Sequence, residues 1–107
     1  MEIVNLTPHA ITFVRDSGEN LVINPSGELA RVSCKTEQVG EVDGIPVTKT
    51  VYGDVTGLPE KQEGKIFLVS SLVASRVFGR DDVFIPNDSV RDAEGRITGC
   101  KSLGRVN

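Results

Sequence analysis

Lys65-Ile66-Phe67-Leu68-Val69-Ser70-Ser71-Leu72-Val73 is the stretch on which the fold turns. Its first five residues form a short, nearly continuous apolar run bounded by turn signals, the pattern of a strand covered on both faces. Ser70 or Ser71 then caps a helix, because a serine oxygen accepts a hydrogen bond from an otherwise unpaired first-turn amide. Leu72, Val73, Arg76 and Val77 follow at helical spacing, and Gly79 ends the run.

On either side of that stretch the signals are those of strands. Glu2 to Leu6 alternates polar and apolar until Thr7-Pro8-His9 bends the chain. Ala10 to Val14 and Leu21 to Ile23 form a hairpin across a polar, glycine-containing turn, and Leu29 to Thr36 alternates with a period of two. Val42-Asp43-Gly44 turns the chain into β-branched Ile45 to Tyr52, a second hairpin, and the breaker-rich segment 53–64 reads as an exposed loop. Beyond the helix, Val83 to Pro86 is a strand, Asn87-Asp88 a turn, and Arg91 to Arg96 a hairpin tip before Ile97 to Leu103. The order β-β-β-β-β-β-α-β-β predicts a mostly β, α+β fold: a curled antiparallel sheet with one main short helix packed on it. With 107 residues and no linker or repeat, the expectation is a single domain over 1–107.

Composition excludes several function classes. A net charge of -3 argues against a surface built to neutralise a long nucleic-acid backbone. Between Arg76 and Arg105, however, six cations face five acids, so a compact anion fits the C-terminal third. No apolar run approaches the roughly 20 residues of a bilayer span. Glu2 and Asn5 interrupt what would be a secretory leader, so the cytosol is the expected compartment. Cys34 and Cys100 show no zinc or disulfide spacing and read as reduced, half-buried thiols in strands.

No catalytic constellation is legible, and the expectation is a protein that is not an enzyme and takes neither cofactor nor metal. His9 is the single histidine, and it reads first as a turn residue, second as a ligand contact. Asp81 and Asp82 point to opposite faces, which suits a solvated turn with a surface ion pair better than a shared proton or metal. What remains is Arg31, Arg76, Arg91, Arg96 and Arg105 with Phe78, Phe84 and Asn87 nearby. Guanidinium pairs phosphate bidentately, an aromatic face stacks a base and asparagine reads its edge, although the ordinary reading is core phenylalanines and solvated arginines.

Asn5-Leu6-Thr7-Pro8-His9, Val69-Ser70-Ser71-Leu72-Val73-Ala74, Arg80-Asp81-Asp82-Val83 and Val90 to Cys100 together resemble small proteins of bacteriophages and prophages. The functional branch this pattern is similar to is the first-described Thoeris anti-defence family. The resemblance implies a non-enzymatic sponge that traps cyclic ADP-ribose-type signals, and in some members cyclic oligonucleotides. It also implies a homo-oligomer, dimer or hexamer, whose pockets take residues from two subunits, with aromatic and asparagine contacts to the base and arginines on the phosphates. The corresponding candidates are Phe78, Asn87, Arg105 or Arg91, then Arg31, with Thr7 and His9 of the opening motif. The alternative is a phage structural, assembly or protein-interaction module.

Overall fold

The computed structural model describes residues 1–106. Its elements are β1 (Glu2–Asn5), β2 (Ile11–Val14), β3 (Asn20–Ile23), β4 (Arg31–Val42), β5 (Ile45–Thr56), β6 (Lys65–Leu68), α1 (Ser71–Ser75), β7 (Val83–Arg91) and β8 (Ile97–Gly104). The class and the order of elements are those read from the sequence.

Six strands form one sheet in the order β1-β6-β7-β8-β2-β3, while β4 and β5 pair only with each other. Pairing in the sheet is mixed and not antiparallel throughout: β6 runs parallel to both β1 and β7, and β2 meets β8 in parallel through Phe13 and Cys100. The parallel step from β6 to β7 exists because α1 and its flanking turns carry the chain back along the sheet, the crossover that parallel neighbours require.

Curling brings the two edges of the sheet together. An isolated bridge joins Asn5, at the end of β1, to Pro25, just past β3, and the Ser26 amide donates to the Asn5 carbonyl at 2.9 Å. The sheet is therefore a nearly closed barrel. Phe13, Leu68 and Cys100 fill its interior with Ile3, Ile11, Leu21, Ile23 and Phe84, so all six strands contribute.

A second core lies outside the barrel wall, where Phe67, Val69 and Val83 pack on Val73 and Ala74 of α1. Successive residues of a strand face opposite ways, so Leu68 enters the barrel while Phe67 and Val69 meet the helix. All three are essentially sealed from solvent, worth about 1.5–3 kcal/mol each in apolar burial. Ser70 caps α1, its hydroxyl accepting from the Val73 amide at 3.3 Å.

The β4–β5 hairpin is longer than the sequence suggests, and the loop predicted for 53–64 begins only at Gly57. Asp43 and Gly44 both have positive φ, the turn geometry that continues the twist of two strands. At the root, Val32 and Val55 join the outer core. The remaining strand residues, from Ser33 to Val42 and from Ile45 to Asp54, are exposed. Twelve residues at about 3.3 Å each make an arm of about 40 Å. The radius of gyration is accordingly 17.0 Å, against about 13 Å for a compact chain of this length. Gly57 locks the root, because its φ is +81° and a β-carbon there would sit 2.0 Å from the Leu29 carbonyl oxygen.

The predicted turn at Asn87-Asp88 is a continuous strand. β7 runs from Val83 to Arg91, and Asp88 takes a left-handed φ of 55° without a break in its register with β8. The Ser102 hydroxyl donates to the Asp88 carboxylate at 2.6 Å, which holds that residue within the ladder.

Candidate functional site

The opening motif works as the latch of the barrel. Asn5 is 1% exposed, and its amide nitrogen donates to the carbonyls of His9 at 2.8 Å and Ile23 at 3.0 Å. Its side-chain oxygen accepts from the Thr7 amide at 2.9 Å and the Thr7 hydroxyl at 2.6 Å. One asparagine thus ties the bend after β1 to the end of β3, an Asx turn that also seals the seam. Thr7 contributes its hydroxyl to this knot and His9 its main-chain carbonyl, leaving the imidazole on the surface. Arg31 stands at the same end of the sheet: the amide of Ala30 before it donates to the Leu6 carbonyl.

Of the other candidates, Phe78 precedes β7, Asn87 lies within it and Arg105 follows β8. Phe78 is 75% exposed and lies two residues before Arg80. The Arg105 guanidinium donates to the Arg80 carbonyl at 3.3 Å. Asn87 packs on Gly104 so closely that a β-carbon on that glycine would be 3.0 Å from the asparagine's own. Arg105 is thus tied to the segment that carries the exposed Phe78, and Asn87 packs on the residue before Arg105.

The segment that follows Phe78 carries a buried ion pair which the sequence reading placed on the surface. Asp82 is 4% exposed, and Arg80 grips it with both arms of its fork, Nε to Oδ1 at 2.7 Å and Nη2 to Oδ2 at 2.9 Å. The second arm also reaches the Pro59 carbonyl at 3.0 Å. The hydrogen bond from Arg80 holds the Asp82 carboxyl below the ordinary aspartate range, and the same bond raises the Arg80 guanidinium. Asp81 points the other way, to Lys61 in solvent, which lowers its carboxyl in turn. The two aspartates do face apart, but only Asp81 belongs to a solvated ion pair.

Arg91 does not join Arg105 within one chain. It pairs with Ile97 at the far end of the β7–β8 hairpin, eight residues along β8 from Arg105, about 26 Å at strand rise. There its guanidinium donates to the Gly95 carbonyl at 2.7 Å. Arg96 is occupied with Asp92 and Glu94. Asp92 accepts from the amides of Arg96 and Glu94, and the Arg96 amide contributes most to lowering its carboxyl. The cationic excess of the C-terminal third is therefore largely spent on the protein itself.

A cavity of about 320 Å³ opens where β2 and β8 separate, lined by Ile11, Thr12, Pro86, Ser89, Thr98 and Cys100 among others. None of the seven candidate residues lines it. Its existence follows from the single paired position between β2 and β8, which no residue pattern announces. Cys100 is buried there, its thiol donating to the Thr12 carbonyl at 3.5 Å, and burial pushes its titration upward. Cys34 is exposed on the arm, and both thiols are free, so neither is half-buried as expected.

Among the described residues no three His, Cys, Asp or Glu side chains are grouped as metal ligands, and no helix is long and apolar enough to cross a membrane. Comparison of the chain with protein-family models, curated proteins and solved structures found no match.

Proposed function

We propose that the chain is a phage anti-defence protein that binds a cyclic nucleotide immune signal, a cyclic ADP-ribose isomer or a cyclic oligonucleotide, and sequesters it without cleavage. The observation that carries this reading is the bond that ties Arg105 to the segment bearing the exposed Phe78, next to the Arg80–Asp82 fork, with Asn87 against Gly104 as the third candidate. An exposed phenylalanine gains by stacking on a base, about 1–3 kcal/mol per base. Guanidinium bonds to phosphate add about 1.5–3 kcal/mol each. Sequestration needs affinity and abundance, not turnover, so this reading assigns the chain no enzymatic step, cofactor or metal, and places it in the bacterial cytosol.

Arg91 lies at the far end of the β7–β8 hairpin from Arg105 in the same chain, so in this reading a second copy brings it to the phosphates. A homo-oligomer, dimer or hexamer, is part of the reading for that reason. A thermal-shift screen across cyclic nucleotides tests it: a ligand at a hundredfold its Kd raises Tm by roughly 10–20 °C. No shift with any cyclic nucleotide contradicts it.

One observation favours a second reading, that of a structural or assembly module. The arm formed by β4 and β5 is exposed along most of its length, and long ribbons of this kind suit contacts between proteins.

A further inference from the structure

The arm is a surface without a partner. A two-stranded ribbon is at best marginally stable alone in water, and needs further strands or a packed face. Only its root has one, where Val32 and Val55 enter the outer core and Arg76 lies over the Tyr52 ring at 5.9 Å. The chain exposes 7316 Å² in all, whereas a compact protein of its 11.5 kDa exposes about 5,800 Å². The excess, about 1,500 Å², is ample for the roughly 800 Å² that each side gives to a stable protein interface.

The two faces of the ribbon differ. Period-two alternation along β5 puts Pro46, Thr48, Thr50 and Tyr52 on one face, the face that meets the body at Tyr52. Ile45, Val47, Lys49 and Val51 occupy the other, and the register adds Val42, Glu37 and Lys35 from β4. Towards the tip this second face is apolar, with Ile45 66% exposed and Val42 nearly as open. Midway along it, Glu37 and Lys49 sit directly opposite each other. Glu37 bonds Lys35 at 3.4 Å, and among the described residues Lys49 has no ion-pair partner.

We infer that this face binds the same face of a second copy, the two arms lying side by side with their tips together and the two-fold axis running along them. That operation lays β4 of one copy over β5 of the other. Every cross-strand pair then meets its own reverse: Val42 and Ile45 cover Ile45 and Val42, and Glu37 lies over Lys49 of the other copy on both sides of the axis. The reverse orientation, tip over root, would set the apolar tip on the bulged, polar root around Ser33 and Gly53. The contact makes a four-stranded sandwich of the two ribbons, with the spacing of about 10 Å normal for stacked sheets. The pairing is separate from the nucleotide reading, because it concerns another surface and is measured without nucleotide.

Sedimentation equilibrium of the ligand-free protein tests it by charge exchange. The wild-type chain is expected at twice its 11.5 kDa mass. Glu37→Lys and Lys49→Glu each bring like charges together across the axis and weaken association roughly tenfold or more. An equimolar mixture of the two variants regains the dimer, with one chain of each kind, which no effect inside a single chain can produce. Ile45→Thr, which keeps the strand-forming character of the site, also shifts the balance towards monomer. A wild-type protein that stays monomeric at about 100-fold the Kd of ordinary micromolar dimers, charge variants that dimerise as well as wild type, or a mixture that stays monomeric overturns the inference.

Discussion

Arg105 donates from its guanidinium to the main-chain carbonyl of Arg80, 3.3 Å away, so the last arginine of the chain is moored to the segment that carries Phe78 and leads into the buried Arg80–Asp82 fork. The segments that carry the base-stacking and phosphate-binding elements of the proposed site are thereby tied together, although Phe78 and Arg105 stand 27 residues apart in sequence.

Phe78→Ala and Arg105→Ala are expected to lower affinity for a cyclic ADP-ribose isomer at least about tenfold each, from the stacking and charge-assisted bonds removed. Because Phe78 is largely exposed, its variant should change folding stability by no more than about 0.5 kcal/mol. Calorimetric titration beside thermal unfolding checks both, and unaltered affinity in the two variants removes the proposed clamp.

Arg91→Ala separates the sites. Its guanidinium serves the Gly95 carbonyl in the hairpin tip, so a monomeric site loses nothing with it, whereas a pocket completed by a second copy loses affinity. Titration of Arg91→Ala against Arg105→Ala discriminates the two arrangements.

Asp82→Asn leaves the partly buried Arg80 without its carboxylate and should cost about 3 kcal/mol in chemical denaturation. The pH dependence follows from the lowered folded-state pKa of Asp82. Below the unfolded aspartate value, near about 3.9, the unfolded chain binds the proton before the folded one, so the pair's stabilisation is full above that pH and is lost as pH falls through the folded value. Wild-type stability should drop across this acid range, and Asp82→Asn should show a shallower fall.

Asn5→Ala removes four hydrogen bonds at the barrel seam and strands buried polar groups there, at about 1–3 kcal/mol for each left unsatisfied. His9→Ala takes away only an exposed ring, since the contact to Asn5 is made by the main chain, and should leave denaturant midpoints near wild type. Equal losses in the two variants would assign the imbalance to the turn as a whole and not to the latch.

The legibility of this chain divides along the range of its interactions. Local pattern sufficed for the strand at Lys65–Leu68, for a serine cap at Ser70 or Ser71, which proves to be Ser70, and for the Asp43-Gly44 turn, because each depends on residues within a few positions. Closure of the barrel did not show, since it depends on Asn5 reaching Ile23 and Pro25 across 18 and 20 positions. The parallel pairing of β6 was hidden for the same reason. Asn87-Asp88 looked like a turn by composition, yet Ser102, a neighbour only in the ladder, holds Asp88 in its left-handed conformation. At the candidate site, residue type suggested Phe78, Asn87 and Arg105, but spacing could not separate Arg91 from Arg105 or reveal that Asp82 is buried.

The most direct measurement of the central claim mixes the purified protein with a cyclic ADP-ribose isomer, removes the protein-bound fraction by filtration, and then heats that fraction to denature the protein. The account predicts that nucleotide missing from the filtrate returns after heating, chemically unchanged by chromatography. Nucleotide that never leaves the filtrate, or that returns as a cleaved product, contradicts it.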